Sequence, residues 1–155
     1  MRNYCDRAWK KRGVTVWEPS KVSPKAKIAP GVHIGSFCEI GAGVTIGAGV
    51  RIGAMCFLPD GITVEDDAWI GPGCVFTNDR YPPSPKDLWE KTIVRSGARL
   101  GAGVKVVCGV NIGADSLVGA GSVITKDVPP CETWAGVPAV KIPDKEIERY
   151  QKRRL

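Results

Sequence analysis

Aliphatic or aromatic residues recur at every sixth position through most of this 155-residue chain. They fall at Val22, Ile28, Ile34, Ile40, Ile46, Ile52, Leu58, Val64, Ile70 and Phe76, and again at Val94, Leu100, Val106, Ile112, Val118 and Ile124. Gly commonly follows the anchor, as after Ile34, Ile40, Ile46, Ile52, Ile70, Leu100, Ile112 and Val118. Four residues after the anchor comes a small or β-branched residue, among them Val32, Cys38, Val44, Val50, Cys56, Cys74, Val104, Val110 and Ser116. A period of six matches neither a helix at 3.6 nor the alternation of a half-buried strand. It matches a short flat strand followed by a corner, repeated, which is the pattern of a parallel β-helix. Three such units close one triangular coil, and coils stack about 4.8 Å apart. Residues eighteen apart then lie above one another. The spacing therefore predicts an inward column of Cys38, Cys56 and Cys74 and a parallel ladder of Ile34, Ile52 and Ile70. Gly suits the corners because it lacks a Cβ and tolerates positive φ. Neighbour contacts build the core of such a solenoid, so a modest length suffices.

The rhythm is interrupted once, over residues 77–92. Pro82, Pro83 and Pro85 cannot donate ladder hydrogen bonds, so regular strand is not expected to continue there. Leu88 falls on the beat, and the gap from Phe76 to Val94 preserves phase; a distorted coil or an extruded loop satisfies the count, and a loop is the expectation. The chain divides into an N-terminal cap over 1–21, carrying Trp9 and Trp17, a repeat over 22–129 with a loop at 77–93, and a C-terminal cap over 130–155. Ile147, Tyr150 and Leu155 among charges predict a short terminal helix.

Composition narrows the function classes. The net charge of +6 favours anionic ligands such as phosphorylated cofactors, or else a solvated surface. The basic clusters Lys10-Lys11-Arg12 and Lys152-Arg153-Arg154 lie outside the repeat and read as solvated tails. Nothing resembles the aromatic-rich basic surface of a single-strand nucleic-acid binder. Residues 1–6 contain no apolar signal core, and no apolar run spans a membrane, so a cytoplasmic protein is expected. The six Cys do not form a disulfide framework; three occupy the inward slot as reduced core thiols, while Cys108 and Cys131 lie off it.

The repeat resembles the left-handed β-helix acyltransferases of the hexapeptide family, and the handedness comes from that likeness. The implied fold is an all-β, single-stranded left-handed parallel β-helix with one protruding loop and a short C-terminal helix. Within the family, four stretches look like the nucleotide-amino-sugar N-acetyltransferases. They are residues 71–79 with the Pro-rich loop that follows, residues 92–102, Val107-Cys108-Gly109, and residues 119–129. Two departures stand out. Gly136-Val137-Pro138-Ala139 replaces the usual Gly-Asn-Pro-Ala, and Pro83-Ser84 stands where many relatives have Arg-Ala in a longer loop.

The resemblance implies transfer of an acetyl group from acetyl-CoA to the amine of a nucleotide-linked amino sugar, with both substrates between subunits of a homotrimer. Attack on a thioester needs a nucleophile held close and donors aimed at the developing oxyanion. Pantetheine is expected along Gly101, Ala102, Gly119 and Ala120, with Lys126 and Lys141 toward the CoA phosphates or adenine. Asn78 and Asp79 are expected to face the acceptor, although Asn-Asp before a Pro-rich loop is also ordinary turn chemistry. Coil stacking puts Asp60 one layer below Asn78. His33 is the only histidine. It lies about 12 Å from Asn78 along the axis at strand spacing, too far to cooperate within one subunit, though a neighbour can supply it. Trp69 precedes an anchor and is expected to point outward, as an interface or ligand platform; Trp89 in the loop stands ready to stack on a base or a partner.

Other readings are weaker. O-acetylation of a sugar or serine hydroxyl calls for a base, and the loop has no His. A γ-carbonic-anhydrase-like site needs three His around a metal, and no metal is expected here. A non-catalytic β-helix leaves the Pro-rich interruption and the corner signatures unexplained.

Overall fold

The computed structural model describes residues 7–152, with side chains over 9–148. The first six residues, the side chains of Tyr150 and Leu155, and the basic run from Lys152 lie outside the described side chains. The chain winds as a left-handed parallel β-helix of about seven turns with three flat faces. The first coil begins with β1 (Thr15–Val16), β2 (Lys21–Val22) and β3 (Lys27–Ile28), one strand on each face. Later coils add strands in parallel above these. The first sheet runs through His33–Ile34, Arg51–Ile52, Trp69–Ile70, Arg99–Leu100, Leu117–Val118 and Thr133–Gly136. The second runs through Glu39–Ile40, Phe57–Leu58, Val75–Phe76, Lys105–Val106 and Val123–Ile124. The third runs through Thr45–Ile46, Ile62–Val64, Thr92–Val94 and Asn111–Ile112.

Most two-residue strands read exposed then buried, which is why one anchor per hexad suffices. The anchors Ile34, Ile70, Leu58, Val64, Leu100 and Phe76 are all sealed from solvent. The cysteine column forms as the spacing predicts. Each thiol donates to a carbonyl at the next corner: Cys38 Sγ to Gly53 O at 3.1 Å, Cys56 Sγ to Gly71 O at 3.2 Å, and Cys74 Sγ to Gly101 O at 3.2 Å. Contact with the Cys56 thiol, together with burial, pushes the Cys38 thiol well above its ordinary pKa, so it is an inert core group.

The glycines after the anchors serve only one of the two purposes that the corner argument names, the missing Cβ. They do not adopt positive φ; that conformation occurs three residues after the anchor, at Gly31, Gly49, Gly73, Gly103 and Gly121 among others. The anchor-following glycines are needed because the next coil is too close. A Cβ on Gly101 lies 2.5 Å from the Ala120 backbone nitrogen and 2.8 Å from its Cα.

The interruption is an extruded loop. Earlier rungs are eighteen residues apart, as Ile46 to Val64, whereas Val64 pairs with Val94, thirty positions on. About twelve extra residues therefore leave the corner between the second and third sheets and return to the same register. Leu88, though on the beat, stands 63% exposed in the loop rather than in the core.

At one end, Trp9 in helix α1 (Arg7–Lys10) is buried against the first coil, while Trp17 remains partly exposed. At the other end, Thr133–Gly136 pairs antiparallel with Ala139–Lys141, and Trp134 and Ala139 are the last members of the core. Helix α2 (Asp144–Lys152) follows that hairpin.

Replacing Gly101 by Ala forces two coil backbones apart, at about 1–3 kcal/mol for overpacking. Gly103→Ala meets nothing within 4 Å and carries only the left-handed backbone penalty, about 1–2 kcal/mol. Denaturant unfolding of both variants should show G101A as the more destabilised.

Candidate active site

The loop is seated on the coil above it by its two stems. Thr77 Oγ1 accepts from the Cys108 N–H at 3.0 Å, and Thr92 Oγ1 accepts from the Gly109 N–H at 3.2 Å. Arg80 forms a two-point ion pair with Glu90, Nε to Oε1 at 2.7 Å and Nη2 to Oε2 at 3.0 Å, and also donates to the Cys108 carbonyl. The Glu90 N–H donates to the Asn78 carbonyl at 2.9 Å, closing the neck. This pair passes so closely over Gly109 that a Cβ there would collide with the Glu90 carboxylate and the Arg80 guanidinium. The Val107-Cys108-Gly109 signature is thereby explained as the loop's seat. Cys108 itself is fully buried.

Inside the loop, Asp79 accepts from the backbone N–H of Tyr81 at 3.1 Å and of Ser84 at 2.7 Å. Desolvation raises its pKa, but these bonds together outweigh it and hold the carboxyl below its ordinary value. Asp79 thus has both oxygens engaged in shaping the turn. The Trp89 Nε1–H donates to Ser84 O at 3.3 Å, and Lys86 Nζ lies 5.1 Å from the Trp89 ring centroid.

Asn78 sits at the loop's exit from the coil. Its Nδ2 donates to the Asp60 carbonyl at 3.2 Å, as expected for a residue one layer above Asp60. The Asp60 side chain is anchored in turn, Oδ1 accepting from the Ala42 N–H at 2.7 Å. A groove of about 310 Å³ opens here, lined by Glu39, Gly41, Phe57, Pro59, Asp60, Asn78, Lys86 and Trp89. A smaller hollow of about 230 Å³ continues under the loop past Gly61, Glu90 and Lys91. Asn78, Asp60 and Glu39 supply polar groups, and Phe57, Pro59 and Trp89 supply apolar wall. That mixture suits an oriented polar ligand.

The remaining expected site residues lie elsewhere on the subunit. Gly101, Ala102, Gly119 and Ala120 stack on the corner between the first and second sheets. Gly101 and Gly119 are both constrained by the coil above, Gly119 by the Ala135 side chain at 2.8 Å. Ala102 and Ala120 are exposed at that corner. Lys126 lies 5.2 Å from the Trp134 ring centroid. Lys141 pairs with Glu132 at 2.7 Å; that bond raises the pKa of Lys141 and lowers that of Glu132. His33 is exposed on the outer face of the first sheet, between Thr15 and Arg51, so within one subunit it does not reach Asn78. Among the described residues no cluster of three or more His, Cys, Asp or Glu forms a metal site.

The sequence pattern had not singled out Lys86, Arg80 or Glu90. Their only prior signal is membership of the segment that breaks the repeat.

Two family profiles match the chain. The bacterial transferase hexapeptide (six repeats) matches residues 19–54, and the hexapeptide repeat of succinyl-transferase matches residues 43–78 and 96–126. Together they cover more than half of the chain and skip the loop. The chain belongs to the hexapeptide-repeat transferase family. Comparison with curated proteins finds no match. Among solved structures, a histidine variant of GDP-perosamine N-acetyltransferase from Caulobacter crescentus, in complex with CoA and GDP-perosamine, superposes with a TM-score of 0.74 at 27% identity. The alignment covers 84% of this chain and 57% of that one, so this chain spans just over half the length of that relative. A hexapeptide-repeat acetyltransferase from Vibrio cholerae complexed with acetyl-CoA gives a TM-score of 0.62 at 25% identity, covering 89% and 77%. AntD, an N-acyltransferase from Bacillus cereus, covers both chains fully with a TM-score of 0.79; at 23% identity this likeness concerns the fold.

Hydrogen bonding to Arg80 lowers the Glu90 pKa. The folded value lies below the unfolded one, so the clamp contributes fully above the ordinary glutamate range and is lost as pH falls through the depressed value. Hydrogen exchange of the Glu90 amide should accelerate, relative to a Glu90→Gln control, only below that range. In E90Q the neck should already be loose at neutral pH.

Proposed function

We propose that this hexapeptide-repeat protein transfers an acetyl group from acetyl-CoA to the amine of a nucleotide-linked amino sugar. The observation that carries this reading is Asn78, held at the lip of a groove that contains carboxylates and aromatic wall but no imidazole. A hydroxyl acceptor would need a base to remove its proton; a neutral amine attacks a thioester directly. The relatives crystallised with CoA, acetyl-CoA and GDP-perosamine support the same donor and acceptor class.

In this reading the acceptor amine lies against Asn78 and Asp60, with the sugar between Phe57 and the loop residues Lys86 and Trp89. The Asn78 side-chain oxygen takes a hydrogen bond from the amine, since its Nδ2 is already committed to Asp60 O. Asp79 shapes the loop that holds Asn78 in place. Acetyl-CoA runs along the corner of Ala102 and Ala120, where small side chains let the pantetheine arm approach the backbone. Lys126 and Lys141 lie near the far end for its phosphates. As the amine attacks the carbonyl carbon, the C–S bond breaks, CoA leaves as thiolate, and the amine's extra proton passes to solvent or to the thiolate.

The groove and the donor corner lie at two different edges of one prism, so the working unit in this proposal is a homotrimer with sites between copies. The exposed apolar residues on the first two sheets and their shared corner support it: Leu117, Phe57, Val75, Phe37 and Met55.

Thiol release by the purified protein with acetyl-CoA and a panel of nucleotide-linked amino sugars tests the proposal. Turnover should rise with pH as the amine loses its proton and then level. Asn78→Ala should lower kcat/KM by about 10²-fold with folding intact, the scale of a lost positioning contact. Turnover with hydroxyl acceptors alone would overturn the amine assignment.

A further inference from the structure

The outer face of the first sheet carries a second feature, apart from the groove at Asn78. Arg51, Trp69 and Arg99 occupy three successive rungs of one ladder, with Trp69 in the middle. All three are exposed, Trp69 at 42%. Neither arginine takes part in an ion pair among the described residues, whereas Lys21, Arg80, Arg95 and Lys141 each have a carboxylate partner. A hollow of about 410 Å³ lies over this ladder, bounded also by Gly49, Asp67 and Ala68. Asp67 is the single carboxylate at its rim, against two guanidiniums.

Two like charges two rungs apart, about 10 Å at strand spacing, gain nothing from each other. An anion lying between them is attracted to both, and guanidinium planes match phosphate oxygens in a fork. The indole between them offers a flat surface to an aromatic base. The ladder is therefore complementary to a planar base joined to two phosphates. We infer that the Arg51–Trp69–Arg99 ladder binds a nucleoside diphosphate, the base stacked on Trp69 and the phosphates held by the two arginines.

Both substrates of the proposed reaction contain this chemistry, CoA in its adenosine end and the acceptor in its nucleotide. Position separates them. Gly49 and Asp67 place the hollow toward the corner between the third and first sheets, at the opposite edge of the face from Ala102 and Ala120. The Asn78 groove lies at a third edge, so the hollow serves the acceptor's nucleotide where the homotrimer proposed above joins the two across a subunit boundary, and only this last step rests on the function proposed above.

Titration of the 155-residue chain with UDP, dTDP, GDP and, separately, CoA tests the inference. Arg51→Gln, Arg99→Gln and Trp69→Ala alter exposed side chains, and thermal unfolding checks that each still folds. Lys27→Ala, on the third sheet, removes one positive charge elsewhere. At least one nucleoside diphosphate should bind the unaltered protein and weaken about tenfold or more in each ladder variant, the loss expected of one charge-assisted or stacked contact. CoA affinity should change less than about twofold, and K27A should match the unaltered protein. No nucleoside diphosphate binding, equal binding by all variants, or loss of CoA binding in the ladder variants would overturn the assignment. Nucleotide binding without acetyl transfer would leave the ladder standing and remove the proposed function. Transfer with unchanged kinetics in all ladder variants would do the reverse.

Discussion

The close approach of one coil's backbone to the next governs this molecule. Ladder hydrogen bonds draw successive turns together along all three faces, as in Gly35 N to Ile52 O and Gly53 N to Ile70 O, both at 2.8 Å. At the corners where Gly follows the anchor the turns come so near that a methyl group cannot fit. Side chains are consequently confined to two destinations, the narrow interior or the outer faces. The interior is filled by one anchor and one small residue per hexad. With the coil geometry fixed, the height and face of any outward side chain follow from its place in the count. That rigidity lets a short chain hold groups such as Asn78 and Asp60 in register without a large core.

The extruded loop departs from that regime without disturbing it. Thr77 and Thr92 bind the same two-residue step of the coil above, and the Arg80–Glu90 pair straps the neck down across Gly109. The coil resumes in unbroken register beyond. The loop thus acts as a rigid wall over the groove. Asp79, which carries charge and stands beside Asn78, is occupied in building that wall.

Much of the fold was legible because the sixfold pattern reports backbone packing directly. The cysteine column, the isoleucine ladder, the outward Trp69 and the Asp60–Asn78 stacking all follow from counting. Counting could not distinguish two reasons for glycine, positive φ and lack of room, because both leave the same letter. The loop hid more. Its twelve extra residues are two hexads long, so phase survives and Leu88 falls on the beat while standing in solvent. The same insertion separates Trp69 from Arg99 by thirty positions, which concealed their adjacency. The Arg80–Glu90 strap depends on a fold-back within the loop, for which no periodicity exists. Of the expected site residues, the structure brings Asn78 to a groove and assigns Asp79 to the turn. It distributes Ala102, Ala120, Lys126, Lys141 and His33 over other edges and faces of the prism.

The hairpin after Thr133 has a consequence for how the molecule stands among its neighbours. A stack of identical rungs has no intrinsic length, since its last turn offers the next chain the same open rails that it offered itself. Here the returning strand Ala139–Lys141 runs against the direction of every rung beneath it, and Trp134 fills the shaft. A newcomer seeking parallel register meets a reversed polarity on one of the three rails. The solenoid ends as a finite object, and fibre growth from that end is blocked by a single change of direction.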